Sequence, residues 1–423
     1  MKLFSFWTDN YPRPADLSVA VELPTEVDVA IIGGGYTGLS AARTLAKSGA
    51  SVAVLERETI GLGASSRNAG ITGCGLKRGT PAVFERYGEA YGRVFWQASL
   101  DALKLVEELA TEEGIGCDWQ QNGDLAVAFK PSHFEAFKTK QVWHKKHLGH
   151  ELRLISPDEL RTEIGSDAFF GGLLDDHGAG IHPAKLVFGL AEVAAKSGAQ
   201  LFENAAVTRI EKLASGFILH TERGVLRANE VVMATNGYTE RLVPKLKPRI
   251  FAGGSYSIVT EPLSQDLQHE ISPRGRIFWD SKWFLNYFRL TPDGRLLWGG
   301  RNNLSTNLDL SESTQQLRAG MLRAFPQLAD VAVTHTWTGQ LGLTFDLMPH
   351  IGRVENIHYA LGYGGHGLHT ALWLGHELAQ MLTGEKTSSP FAEISHQTYP
   401  FYRNDPWFLP LAALYYRIKD RLS

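Results

Sequence analysis

Cysteine is nearly absent from this chain of 423 residues: Cys74 and Cys117 are the whole complement. Two thiols cannot build a disulfide framework or a cysteine zinc site, so the composition fits a reducing, cytoplasmic compartment. Net charge is scarce too, at −3 with 42 Lys+Arg against 45 Asp+Glu, which removes the electrostatic case for binding nucleic acid or an anionic membrane. No stretch approaches the ~18 consecutive apolar residues of a transmembrane helix. Residues 1–14 carry one early lysine and no apolar segment of signal-peptide length. Internal repeats and low-complexity tracts are also missing. What remains, 43% hydrophobic and 21% charged residues, is the make-up of a soluble globular protein. At this length one core is too few, and two interleaved domains are expected.

Glycine is plentiful, and one cluster of it is ordered. Gly33-Gly34-Gly35-Tyr36-Thr37-Gly38 follows the apolar run Asp28-Val29-Ala30-Ile31-Ile32, which reads as a buried parallel strand. Leu39, Ala42 and Leu45 then recur at helical spacing until Gly49. A second apolar strand, Val52-Ala53-Val54-Leu55, ends in Glu56, about 20 residues past the last glycine, where a dinucleotide fingerprint needs its acid. Gly33 permits the tight turn, Gly35 lets the backbone approach a pyrophosphate, and Gly38 lets helix and strand pack closely. The helix N-terminus presents oriented N–H groups to the phosphates. Glu56 accepts from ribose hydroxyls and repels a 2′-phosphate, which argues against an NADP-type nucleotide.

Residues 1–26, with Pro12, Pro14 and Pro24 and no periodicity, read as an irregular arm. Residues 84–115 carry an apolar stripe at helical spacing that reads as core, and 124–129 a strand before a charged helix over 131–148. Pro183 opens another helix at a tolerated first-turn position. Residues 200–210, 215–221 and 224–227 predict an antiparallel meander, and 230–235 a buried strand. Between 250 and 300 the period changes to two, over 255–260, 283–290 and 295–298, as in a half-exposed sheet. A helix near 311–324 and a strand at 331–337 follow. An NAD dehydrogenase completes its doubly wound sheet in one run of βα units. Here a meander and a long antiparallel sheet interrupt after the second strand, which favours a flavin enzyme.

Two further clusters suit such a ligand. Small residues and hydroxyls crowd Ile60-Gly61-Leu62-Gly63-Ala64-Ser65-Ser66-Arg67-Asn68-Ala69-Gly70, either a loop pressed against a large flat ligand or a flexible surface loop. Gly362-Tyr363-Gly364-Gly365-His366-Gly367 feeds an apolar helix and aims backbone N–H groups at an anion, as the pyrimidine end of a reduced flavin is. His366 either donates there or only caps and packs.

With these motifs the chain resembles the FAD-dependent amine and amino-acid oxidases, the group of D-amino acid oxidase, glycine oxidase and sarcosine oxidase, and within it the γ-glutamylputrescine oxidoreductase branch. The resemblance also rests on Gly178-Ala179-Gly180-Ile181-His182-Pro183 and Ala234-Thr235-Asn236-Gly237-Tyr238, and covers about residues 20–386. It implies an α/β fold: an FAD-binding Rossmann-like domain of glutathione-reductase type, interleaved with a substrate domain on a mixed or antiparallel sheet. The expected division is an arm at 1–26, FAD domain at 27–83, 178–246 and 337–386, substrate domain at 84–177 and 247–336, and a tail at 387–423.

The resemblance also implies Gly33, Gly35, Thr37 and Gly38 at the pyrophosphate, with Tyr36 beside them, Glu56 at the AMP ribose and Arg57 beside the adenosine. Ala64, Ser65, Ser66, Arg67, Asn68, Ala69 and Gly70 would run along the phosphates and flavin. Val207 would meet adenine through its backbone, Thr235 would line the nucleotide, and Gly364, Gly365, His366, Gly367 and Leu368 would face the pyrimidine. Some relatives hold FAD covalently through a histidine near the position of Arg67 or a cysteine before the last strand. Arg67 cannot make that bond and no cysteine follows Cys117, so dissociable FAD is expected, and no metal.

The implied reaction oxidises the C–N bond of a small amine or amino acid to an imine, with hydride passing to flavin and O2 or a quinone as final acceptor. No general base is nominated; His366, Tyr256 and Tyr287 are candidates near the flavin. Tyr256 and Tyr287 are candidate substrate contacts, and Arg289 or Arg301 either pairs with a substrate carboxylate or is structural. The aromatic, amphipathic tail at 406–417 either docks on a membrane or packs on its own domain or a partner subunit. Rival readings are a tRNA-modifying flavoprotein and a non-catalytic flavin-binding subunit of a larger dehydrogenase.

Overall fold

A computed structural model describes residues 1–300, 304–400, 402 and 406–422. Two eight-stranded sheets organise them. In the first, Gln200–Phe202, Val52–Leu55, Glu26–Ile32, Gly224–Met233 and Ile357–Leu361 run parallel, and His350–Val354 closes the edge antiparallel. The strand Glu26–Ile32 lies between two neighbours and has helices on one face, so its last four residues are all buried. That burial on both faces is why it reads as a continuous apolar run. The meander and the strand predicted at 230–235 prove to share an element. Gly224–Met233 pairs antiparallel with Phe217–Thr221 along its first half and parallel with Glu26–Ile32 along its second.

The second sheet runs Val333–Leu343, Phe251–Thr260, Leu296–Gly300, Asn286–Leu290, Ile277–Asp280, Asp124–Val127, Gly172–Asp175 and Arg153–Ile155. Only the pairing of Ile277–Asp280 with Asp124–Val127 is parallel, which makes the sheet mixed, as expected. One face buries Tyr256, Ile258, Phe288 and Trp298, the last two stacked at 4.4 Å. Val333–Leu343 pairs with Phe251–Thr260 through Leu343, so the domain boundary expected at 336/337 falls inside a strand of this sheet; the chain returns to the first sheet at His350.

Two helices fix the cavity's geometry. Tyr36–Lys47 and Gly367–Thr383, each following a glycine turn, cross closely because Gly375 has no side chain; a Cβ there would collide with the Thr37 carbonyl. Ser40 Oγ donates to the Leu372 carbonyl at 2.6 Å, and the Thr37 and Tyr363 hydroxyls meet at 2.6 Å.

The arm is not irregular throughout. Phe6–Asn10 is helical, with Phe6 and Trp7 in the core, Trp7 Nε1 donating to the Asn68 carbonyl at 2.8 Å and Ser5 Oγ to that of Ser66 at 2.9 Å. At the other end, Leu409–Leu422 is a helix whose Asp420 accepts from the backbone N–H groups of Trp283 and Phe284, at 2.7 and 3.1 Å.

Burial sets the pH response. It pushes His144, His182 and His369 down to about 4 and His396 to about 3. His182 is buried, and its Nδ1 caps the helix Pro183–Lys196 by accepting from Lys185 N–H. The unfolded chain takes up these protons near pH 6.5 and the folded chain only near 4, so stability falls as pH drops through that window and stays level above it. Urea unfolding midpoints measured from pH 7.5 to 4.5 should decline below about 6.5. A flat profile would mean that these rings accept protons in place.

Candidate active site

Between the two sheets lies a cavity of about 870 Å³, near the upper end of the ~300–1,000 Å³ of small-molecule sites. Its first wall is the Gly33–Gly38 turn. Gly33 has φ +113°, and a side chain there would lie 2.9 Å from the Ala234 carbonyl. At Gly35 a Cβ would lie 2.9 Å from Ser65 Oγ, which accepts from Tyr36 N–H at 3.0 Å. The N-terminus of Tyr36–Lys47 therefore opens onto the cavity, with the Ser65 hydroxyl against its first N–H. Gly33, Gly35, Tyr36 and Thr37 line the space; Gly38 lies behind, packed against the Gly33 carbonyl.

Glu56 lines it as well, its Oε2 accepting from Gly34 N–H at 2.7 Å and its Oε1 from Glu58 N–H at 3.0 Å. Arg57 borders the opening and pairs with Glu240 at 3.0 Å, whose hydrogen bond raises the guanidinium pKa. Ala64, Ser65, Arg67, Asn68 and Ala69 face the cavity. Asn68 closes this loop on itself, donating to the Ser65 carbonyl at 2.9 Å and accepting from Gly70 N–H at 2.8 Å. Ser66 is buried under the arm, and Gly70, at φ +66°, packs on the Ile181 carbonyl; neither lines the cavity. Val207 and Thr235 do.

On the opposite wall Gly365, His366, Gly367 and Leu368 line the space at the start of Gly367–Thr383. Gly364 does not: its φ is +61° and Lys77 covers the position where a side chain would sit. His366 is the N-cap residue, but its ring makes no capping hydrogen bond.

The second sheet corrects two expectations. Tyr256 and Tyr287 lie on opposite faces of the sheet, and the cavity is on the Tyr287 side. Ser255 and Ser257 line it, and their hydroxyls meet Tyr287 OH at 3.0 and 3.3 Å. Tyr256 points into the opposite core, donating to the Ser305 carbonyl at 2.7 Å and accepting from Leu308 N–H at 2.9 Å. Arg289 shares the Tyr287 face, yet the cavity ends before it. It is 4% exposed, donates to the Ile181 carbonyl at 2.8 Å and lies 5.4 Å from the Trp7 ring, and burial pushes its pKa down to about 10. Arg301 lies outside the described residues.

Residues from the segments between also reach the cavity, none of them marked by a motif: Trp96, Asp124, Lys140, His144, Asp175 and Trp279. Asp124 accepts from Trp279 Nε1 at 2.9 Å; burial and then the Asp175 charge raise its pKa. Asp175 accepts from His150 Nε2 at 2.8 Å and His177 Nδ1 at 3.0 Å, bonds that outweigh burial and keep its pKa low. With Cys74 these groups form a cluster whose ligand-type atoms lie within 4.8 Å of one another. Its nitrogens and carboxylate already satisfy each other.

Two helix N-termini opening on one large cavity, with side-chain positions left empty by glycine, fit FAD, and this architecture is that of a flavin-dependent oxidoreductase. The sequence pattern of the FAD dependent oxidoreductase family matches residues 28–381, and the chain belongs to that family. It is 33% identical over 400 residues to the gamma-glutamylputrescine oxidoreductase of Escherichia coli K12, covering 94% of this chain and 93% of that one. It is 31% identical over 365 residues to a probable oxidoreductase, OrdL, of Haemophilus influenzae, covering 85% and 83%. The structure of glycine oxidase from Geobacillus kaustophilus superposes with a TM-score of 0.75 over 88% of this chain and 100% of its own, at 21% identity, a likeness of fold. The chain is thus an FAD-dependent oxidoreductase related to the amine and amino-acid oxidases, as its motifs implied.

Replacing Gly35 with leucine should place a side chain where the phosphates need the helix terminus. The purified G35L protein is expected to be colourless with an unchanged far-ultraviolet circular dichroism spectrum. Retention of flavin absorbance would contradict the role given to this turn.

Proposed function

We propose that this enzyme oxidises the C–N bond of an amine or amino acid to an imine, which water then hydrolyses. The observation that carries the reading is the junction of the Tyr287, Ser255 and Ser257 hydroxyl group with the two glycine turns in one cavity. FAD supplies the two-electron acceptor. Gly33, Gly35, Thr37 and Ser65 hold its phosphates, Glu56 its ribose, and Gly365, His366 and Gly367 its pyrimidine. Arg67 carries no nucleophile, so the cofactor is dissociable. Tyr287 orients the amine, and its ring attracts a cationic substrate by ~0.5–2 kcal/mol. The relative named for gamma-glutamylputrescine supports an amine over a nicotinamide donor.

The test is anaerobic titration of the yellow protein. A primary or secondary amine is expected to bleach the flavin while NADH leaves it oxidised. Bleaching by NADH alone would make the enzyme a reductase instead. O2 or a quinone serves as acceptor, and a reducing, cytoplasmic setting agrees with both thiols being free.

We infer a peripheral membrane contact from the C-terminal helix. No helix among the described residues is long and apolar enough to cross a membrane. Leu411, Leu414, Tyr415 and Ile418 nonetheless stand exposed on one face of Leu409–Leu422, beside exposed Trp407 and Trp283 and the cations Arg417 and Lys419. Aromatic and apolar residues flanked by positive charge suit an anionic lipid surface. The protein should float with phosphatidylglycerol vesicles and lose that behaviour when Leu411, Leu414 and Ile418 become glutamate; equal flotation of both would refute the contact.

A further inference from the structure

We propose that Cys74, His150, Asp175 and His177 hold a divalent cation of the zinc class, one ligand atom from each, as a structural clamp at the edge of the cavity. The inference does not rest on the amine-oxidation reading.

The four residues come from three separate segments. Cys74 lies between Ile71–Thr72 and the helix Thr80–Thr111, in a stretch held by Gly75 N–H donating to Ser99 Oγ at 3.0 Å. His150 follows the end of Pro131–Leu148 and is buried, its ring 4.9 Å from those of Trp96 and His177. Asp175 ends the strand Gly172–Asp175, and His177 stands two residues on, at the surface. Their ligand atoms all lie within 4.8 Å of one another. Zinc bonds of ~2.0–2.3 Å set tetrahedral ligand atoms roughly 3.3–3.8 Å apart, a contraction that side-chain rotation supplies. His150 Nε2 and His177 Nδ1 already meet opposite oxygens of Asp175, at 2.8 and 3.0 Å, and coordination replaces these two hydrogen bonds.

The donor types select the ion. One sulfur and two imidazole nitrogens suit zinc and its borderline neighbours, whereas magnesium and calcium take oxygen. Two thiols are too few for a site of cysteines alone, but one is enough beside two histidines and a carboxylate. Four protein ligands close the coordination sphere, which makes the site structural. On binding, the thiol releases its proton to solvent and each imidazole carries its single N–H on the other nitrogen.

The surrounding charge favours a cation. Asp124 stands directly opposite Asp175 in the antiparallel ladder, where like charges destabilise a sheet, and Asp124 Oδ1 has no partner. Lys140 faces both acids. A divalent ion together with Lys140 balances two carboxylates and a thiolate. The exposure of His177 lets the ion enter from solvent without crossing the cavity. Cys74 and Asp175 line that cavity, so the clamp ties the stretch before Thr80–Thr111 to the second sheet.

The test uses holoenzyme stripped with EDTA, titrated calorimetrically with zinc and spectroscopically with cobalt. One zinc per chain is expected, with a higher thermal unfolding midpoint in its presence. Cobalt should give the intense bands of a tetrahedral thiolate site in the red, beyond the flavin absorption. Cys74→Ser and His177→Ala should each abolish those bands and weaken zinc roughly 100-fold or more, while Cys117→Ser binds as the unaltered protein does. The exposed position of His177 keeps the test open should Cys74→Ser fail to fold. Absence of stoichiometric zinc, an octahedral cobalt spectrum, or binding indifferent to either substitution would overturn the proposal.

Discussion

Everything at the cofactor end depends on how closely two helices approach. Tyr36–Lys47 begins at the first glycine turn and Gly367–Thr383 at the last, more than 300 residues apart in sequence. Gly375 removes the Cβ that would strike the Thr37 carbonyl, and Ser40 and the Thr37–Tyr363 pair latch the crossing with buried hydrogen bonds. Both N-termini are thereby fixed on one cavity. Each carries about half a positive charge from its backbone dipoles, so the site favours anionic groups at two separate points. That arrangement suits a cofactor with a pyrophosphate at one end and a ring that gains negative charge at the other.

A second brace holds the 64–70 loop between them. Asn68 folds the loop on itself, while Trp7, Ser5 and Trp337 take the carbonyls of Asn68, Ser66 and Arg67. Arg289, beneath, ties the 180–182 segment to the same place and rests against Trp7. A buried guanidinium with Nε unpaired is an expensive support. It lies outside the cavity lining, bound to the Ile181 carbonyl.

What the sequence disclosed and what it hid divide along a physical line. The glycine turns, Glu56 and the interrupted order of strands were legible because each is a local pattern with one main structural solution. Alternation over 250–300 gave the phase of each strand but not which face met the cavity, since both faces carry aromatics and the choice belongs to the other domain's position. So Tyr256 was grouped with Tyr287 as a contact, and the structure separates them. Trp7 gave no signal because the segment before Pro12 is too short for a period to stand out. Lys140 and His144 were invisible for the opposite reason: on a helix rich in lysine and histidine they look like part of a solvated face.

That last concealment follows from how the wall is built. Pro131–Leu148 buries few residues, Phe137 and His144 among them, and its polarity on most sides is that of a surface helix. The strands beneath it, Asp124–Val127 and Gly172–Asp175, lie near the far end of the second sheet and turn Asp124 and Asp175 toward the cavity. The result is a cavity with two electrostatic characters. At the glycine end two helix dipoles add to the charges of Glu56, Arg57 and Arg67. At the helix end it comes from titrating side chains whose charges depend on one another and on what is bound.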